Sequence, residues 1–257
     1  MNRCALALLG LLALPAAAAA QQERPLLANE PPPERLPESR FAITPYIGVR
    51  VPYTTGNVVV LGESGQQFVL QEERGGSTMA GINAEARLSG PVSFIAGVAY
   101  SGREQDTFVF LDGNGTGGTR VDTDGPAVLF AKAGVTWRLP DPIPDNRRFH
   151  PSAFLTVAPA MVFLDWQDAD GVDEDISKTS SHFALNLGAD ATARIGGGKW
   201  AINLGAEDFL TFWNTDKLRT RAETINALVT DEQSVTLDYD YSNSNIIVLR
   251  FGLSYRM

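Results

Sequence analysis

Residues 183–195 read Phe-Ala-Leu-Asn-Leu-Gly-Ala-Asp-Ala-Thr-Ala-Arg-Ile. Phe183, Leu185, Leu187, Ala189, Ala191, Ala193 and Ile195 occupy every second position, and Ala184, Asn186, Gly188, Asp190, Thr192 and Arg194 lie between them. A period of two sends successive side chains to opposite faces of a strand, so the stretch predicts a strand with one apolar and one polar face. It is longer than the usual strand of about five or six residues. A tilted strand crossing a membrane needs about 9–11.

The same alternation recurs in seven more segments, at 41–51, 80–88, 92–100, 129–139, 152–163, 200–207 and 247–257. Ile247, Leu249, Phe251, Leu253, Tyr255 and Met257, for example, oppose Val248, Arg250, Gly252, Ser254 and Arg256. In the segment that starts at Trp200, Asp208 breaks the pattern and suggests a bulge. The connections at 89–91, 140–148 and 196–198 are short, whereas those at 52–78, 101–126, 165–181 and 214–245 are long and polar. An even number of long amphipathic strands with alternating short and long connections predicts an all-β, eight-stranded, antiparallel up-and-down transmembrane barrel. Short turns then face the periplasm and long loops the exterior.

A soluble barrel or sandwich also alternates, with its apolar row turned inward. Two features favour the membrane arrangement. Trp137 and Trp200 fall beside short turns and Trp166 and Trp213 beside long loops, the places for interfacial aromatic girdles. The polar row also carries Gly48, Gly81, Gly97, Gly134, Gly188, Gly205 and Gly252. On a solvated face glycine weakens a strand, but inside a narrow barrel it makes room for a long neighbour.

The 257-residue chain has a formal charge of −9 and 20% charged residues, with no basic tract. That balance excludes nucleic acid as a partner, because phosphate binding is built on clustered Lys and Arg. Residues 1–20 carry Arg3, an apolar run from Ala5 to Leu14 and small residues at Ala18 and Ala20, the layout of a secretory signal peptide. The one cysteine, Cys4, lies within it, so the exported chain is expected to be held without disulfides. Residues 21–40, with Pro25, Pro31, Pro32, Pro33 and Pro37, read as a flexible periplasmic lead-in to a barrel domain at 41–257.

The stretch Arg250-Phe251-Gly252-Leu253-Ser254-Tyr255-Arg256-Met257 resembles the C-terminal targeting signal of outer-membrane barrels. Arg250, Gly252, Tyr255 and Met257 occupy its polar, glycine and two hydrophobic places, with Met257 where Phe is commoner. With the signal peptide and eight segments, residues 41–257 resemble the small outer-membrane β-barrel superfamily of the OmpA or OmpW type. The resemblance implies an outer-membrane location in a Gram-negative cell, assembly by the barrel insertion machinery, and lipid and lipopolysaccharide as surroundings. It implies no single activity, so function is argued from sites.

The polar row gathers Arg50, Arg87, Lys132, Arg138, Arg194 and Arg250 with Glu85, Asp190 and Glu207. Glu85, Lys132, Asp190, Glu207 and Arg250 fall near strand middles and are expected to form the centre of a packed polar lumen. The alternative is a narrow passage for small or apolar solutes. Asp168, Asp170, Asp173 and Asp175, around Gly171 and beside Glu174, are candidate calcium ligands, although the spacing does not match an EF-hand. His182, beside Ser180 and Ser181, is a candidate base for a lipid A hydrolase, a chemistry that requires a hydrogen-bonded nucleophile and a third, orienting group. His150 reads as structural. The expectation is a monomeric barrel without cofactor, plugged by its own side chains, that works through its external loops.

Overall fold

The computed structural model describes residues 40–61, 67–103, 105–111, 118–140, 149–165, 179–195, 198–214, 216, 236–240 and 243–257. Residues 1–39, which hold the expected signal peptide and most of the expected lead-in, lie outside them, as do Trp166 and the acidic stretch 168–175. Eight strands close into an antiparallel barrel: β1 (Phe41–Arg50), β4 (Ser77–Ser89), β5 (Val92–Ser101), β8 (Ala127–Arg138), β9 (Phe149–Asp165), β10 (Thr179–Ile195), β11 (Trp200–Phe212) and β13 (Ser244–Arg256). Around the barrel the order is β1-β13-β11-β10-β9-β8-β5-β4, and β4 pairs with β1 to close it. Each barrel strand therefore has two partners and no free edge remains, which is what a strand in hydrocarbon requires.

The alternation seen in the sequence is the alternation seen in space. Ile47 is 66% exposed and Leu204 56%, whereas the inward Thr156, Asn186 and Arg250 are almost fully buried. Large apolar side chains stand exposed on the outer wall of all eight strands, including Val49, Ile82, Phe94, Leu129, Leu155, Leu187 and Phe251. An apolar band of that extent is a liability in water and is the surface lipid requires. Trp137 and Trp200 stand on this outer face at the short-turn end, Trp200 packed on Tyr255 at 4.8 Å between ring centroids.

Three expectations change. Asp208 makes no bulge: it pairs with Leu187 on one side and Ile247 on the other in unbroken ladders. It therefore stays on the outer row, where Asn245 Nδ2 donates to its Oδ2 at 2.9 Å. Trp213 is not on the outer face. It has the inward parity of β11, is 8% exposed, and donates from Nε1 to Ser244 Oγ inside the barrel. Third, the long connections are not merely loops, because they contain β2 (Tyr53–Leu61), β3 (Gln67–Arg74), β6 (Gln105–Leu111), β7 (Gly118–Asp124) and β12 (Thr236–Asp240).

These five form a second sheet in the order β12-β2-β3-β6-β7. That order repeats β13-β1-β4-β5-β8 of the barrel, because each continues its barrel strand past a short break. Pro52, Gly75-Gly76, Gly102 and Gly125-Pro126 mark four of the breaks. Proline supplies no ladder donor and glycine weakens strand continuity, so the barrel ladders stop there and new ones begin. At the opposite end β4 turns into β5 through Gly90, whose φ of +54° suits glycine.

Leu204→Arg, on the outer wall mid-strand, is expected to cost about 2–4 kcal/mol, against about 0–1 for Phe41→Arg at the band's edge. Urea unfolding of the two variants in detergent micelles, followed by tryptophan fluorescence, measures both.

Candidate functional site

The centre of the lumen is built from side chains that reach over glycine. In the ladder, Asp190 of β10 faces Gly205 of β11, and Gly205 faces Arg250 of β13. Arg250 crosses the gap, and its Nη2 donates to Asp190 Oδ1 and Oδ2 at 2.6 and 2.7 Å. A Cβ on Gly205 would collide with Asp190 Oδ1 and come within 2.9 Å of Arg250 Nε. Gly97 plays the same part between Asn83 and Lys132, since a Cβ there would strike Asn83 Oδ1.

Glu207 joins the two cations. Its Oε1 accepts from Lys132 Nζ and forms an ion pair with Arg250, 2.8 Å from Nε. Asn186 Oδ1 accepts from Lys132 Nζ at 3.3 Å, and Asn203 Oδ1 from Arg250 Nη1 at 3.2 Å. Tyr46 lies under the Arg250 guanidinium, 5.1 Å from its ring centroid. Two cations and two anions thus balance among buried neighbours, which an isolated charge could not do.

Of the five central residues expected from sequence, Lys132, Asp190, Glu207 and Arg250 come together. Glu85 lies nearer the short-turn end, where it lines two small cavities. Asn186, Asn203 and Tyr46 were not expected as members. All three sit on the inward row of their strands, so the signal was parity plus hydrogen-bonding capacity.

The lumen is not polar throughout. Towards the long connections Val128, Val162, Leu164, Ile246 and Val248 are fully buried inside the barrel. Phe130 and Phe209 meet there with ring centroids 4.6 Å apart. The expected polar plug therefore has an apolar layer stacked on it, because β8, β9 and β13 put apolar residues on both faces at that end.

His182 belongs to this layer and is 1% exposed. Its partner is Ser180, not Ser181: Ser180 Oγ lies 2.9 Å from Nε2, while Ser181 has the opposite parity. The Asn214 backbone N–H donates to Nδ1 at 2.9 Å. A neutral imidazole that accepts at Nδ1 carries its proton on Nε2, so Nε2 donates to Ser180 and has no lone pair with which to take the serine proton. The Trp213 ring packs edge-on at 4.9 Å. These contacts fix the orientation of the imidazole within the apolar layer.

No protein-family model and no curated protein matches the sequence. Among solved structures, the outer membrane protein OprG from Pseudomonas aeruginosa is 11% identical, over 85% of this chain and 96% of that one, with a TM-score of 0.47. The outer membrane protease OmpT from Escherichia coli is 10% identical, over 87% of this chain and 100% of that one, with a TM-score of 0.32. Neither likeness assigns an activity, and the fold rests on the strand ladders themselves.

Removing one member of the central network leaves another charge buried without its partner. Arg250→Met is expected to destabilise the barrel by about 3–5 kcal/mol. The double variant Arg250→Met/Asp190→Leu, which also removes the orphaned anion and leaves the Lys132–Glu207 pair in place, should recover part of that loss. Equilibrium unfolding in urea checks the order of the two.

Proposed function

We propose that the chain is an outer-membrane barrel whose lumen is a closed strut and whose biological contacts are made by the surface beyond the long-connection end. The supporting observation is the two-layer filling of the lumen. Lys132, Glu207, Arg250 and Asp190 bridge four parts of the wall at the centre, and the layer of Phe130, Val162, Phe209 and Ile246 lies above them. An ion crossing this barrel would have to enter apolar packing and separate buried ion pairs, both strongly unfavourable. The second sheet, anchored on five consecutive barrel strands, gives the exterior an ordered platform for a partner. The apolar outer band supports placement in the outer membrane, with short turns in the periplasm.

A second reading, a carrier of small apolar solutes, draws support from the second sheet, which extends the barrel wall beyond the long-connection end.

Three measurements bear on these readings. In planar bilayers the purified barrel is expected to show no steady conductance, whereas reproducible single-channel steps would sink the closed-strut reading. Uptake of a fluorescent apolar solute by cells with and without the protein separates strut from carrier. For the hydrolase alternative, lipid A from cells expressing the chain or its Ser180→Ala/His182→Ala variant is expected to give identical mass spectra.

A further inference from the structure

Inside the short-turn half of the barrel lies a polar cavity of about 30 Å³. Asn83 of β4 lines it, together with Asp190 of β10 and Arg250 of β13 from the central network. Asn83 is 4% exposed, yet neither its Nδ2 nor its Oδ1 has a hydrogen-bond partner within the protein. Its place is a built one: the ladder neighbour on β5 is Gly97, and a Cβ there would strike Asn83 Oδ1. A buried carboxamide left this way costs free energy that a polar guest returns.

The chemistry of the lining selects the guest. Asn83 needs an acceptor for its N–H groups and a donor for its oxygen. Water supplies both, whereas a cation meets only the oxygen and an anion only the N–H groups. The lining also carries both signs, so Arg250 disfavours a cation while Glu85 and Asp190 disfavour an anion. The volume admits about two water molecules and excludes a sugar, a nucleotide or a lipid headgroup. Acceptors stand ready on the other walls. Arg250 Nη2 takes one position on each oxygen of Asp190, and a carboxylate oxygen can accept a second hydrogen bond. Thr44 Oγ1 and Ser254 Oγ, 2.8 Å apart, add hydroxyls on the side of β1 and β13.

We propose that this cavity is a hydration site, in which about two water molecules join Asn83 to Asp190. The direct ion pairs of the centre link β8, β10, β11 and β13. The waters bring in β4, which stands opposite β10 in the closed strand order, and so tie the network across the lumen. The site rests on the reading of a closed lumen, which the bilayer conductance measurement tests separately.

A crystal structure of the full-length chain, grown from detergent at a resolution that shows ordered water, is expected to hold density about 2.7–3.2 Å from Asn83 Nδ2 and from its Oδ1. A well-ordered Asn83 without such density would overturn the proposal. Asn83→Leu, close in volume but without hydrogen-bonding atoms, deprives the waters of partners they need. The folded variant, verified by heat-dependent gel migration, is expected to lose that density and to unfold at a lower urea concentration than the wild type. An unchanged or higher midpoint counts against the waters, because replacing a bare buried carboxamide by hydrocarbon relieves its penalty. Should Asn83→Leu fail to fold, Asn83→Ser carries the test, since its hydroxyl keeps a donor and an acceptor at the site. Water density at that hydroxyl is then expected, and its absence sinks the hydration site.

Discussion

Arg250 can lie inside this barrel only because Gly205 is its neighbour. The ladder sets Gly205 between Arg250 and Asp190, and the missing Cβ lets the guanidinium span a strand to reach its carboxylate. Burying each ion carries an effective penalty of several kcal/mol, on the order of what good geometry returns. The network is thus weak as a source of net stability and strong as a constraint on register. A one-residue slip of β13 would turn Arg250 to lipid and Phe251 inward, breaking every pairing at once. The outer wall's alternation and the inner network therefore specify the same register from opposite sides.

That double specification explains what the sequence made legible. The β10 and β13 stretches alternate cleanly because one face meets lipid and the other meets charge, and their residues appear in space where the pattern put them. Parity also placed Lys132, Asp190, Glu207 and Arg250 in the lumen. It could not foretell which of them would touch, because that depends on circumferential order and on the small residues between, as the separate position of Glu85 shows. Legibility fails where both faces become apolar. Val128 to Ala133 on β8 and Ala158 to Leu164 on β9 are apolar on nearly every position, since the long-connection half of the lumen is packed like a soluble core.

Two other misreadings have physical causes of the same kind. Trp213 looks like a girdle residue by its place at a strand end, but an inward tryptophan needs only a hydrogen-bond acceptor for its Nε1, and Ser244 supplies one. Asp208 looks like a bulge because a carboxylate is unwelcome on a lipid face. Asn245, diagonal to it on the neighbouring strand, offers a donor, so the register holds and the polar pair is kept on the wall. The second sheet was hidden differently. Val58-Val59-Val60-Leu61 and Phe108-Val109-Phe110-Leu111 carry strand-forming composition, but they stand beyond Pro52 and Gly102, which read as the start of loops.

The filling of the barrel changes character along its axis, and the order matters. The apolar layer lies on the long-connection side of the ion pairs and excludes water from that flank, which strengthens the contacts of Glu207 with Lys132 and Arg250 and raises the cost of parting them. On the short-turn flank the polar cavity keeps the network in contact with water-sized space. A charged solute entering from the long-connection end meets the cost of desolvation before it meets a charge, whereas one entering from the short-turn end meets polar groups first. The two ends of the lumen therefore differ in chemistry, and the central network marks the boundary between them.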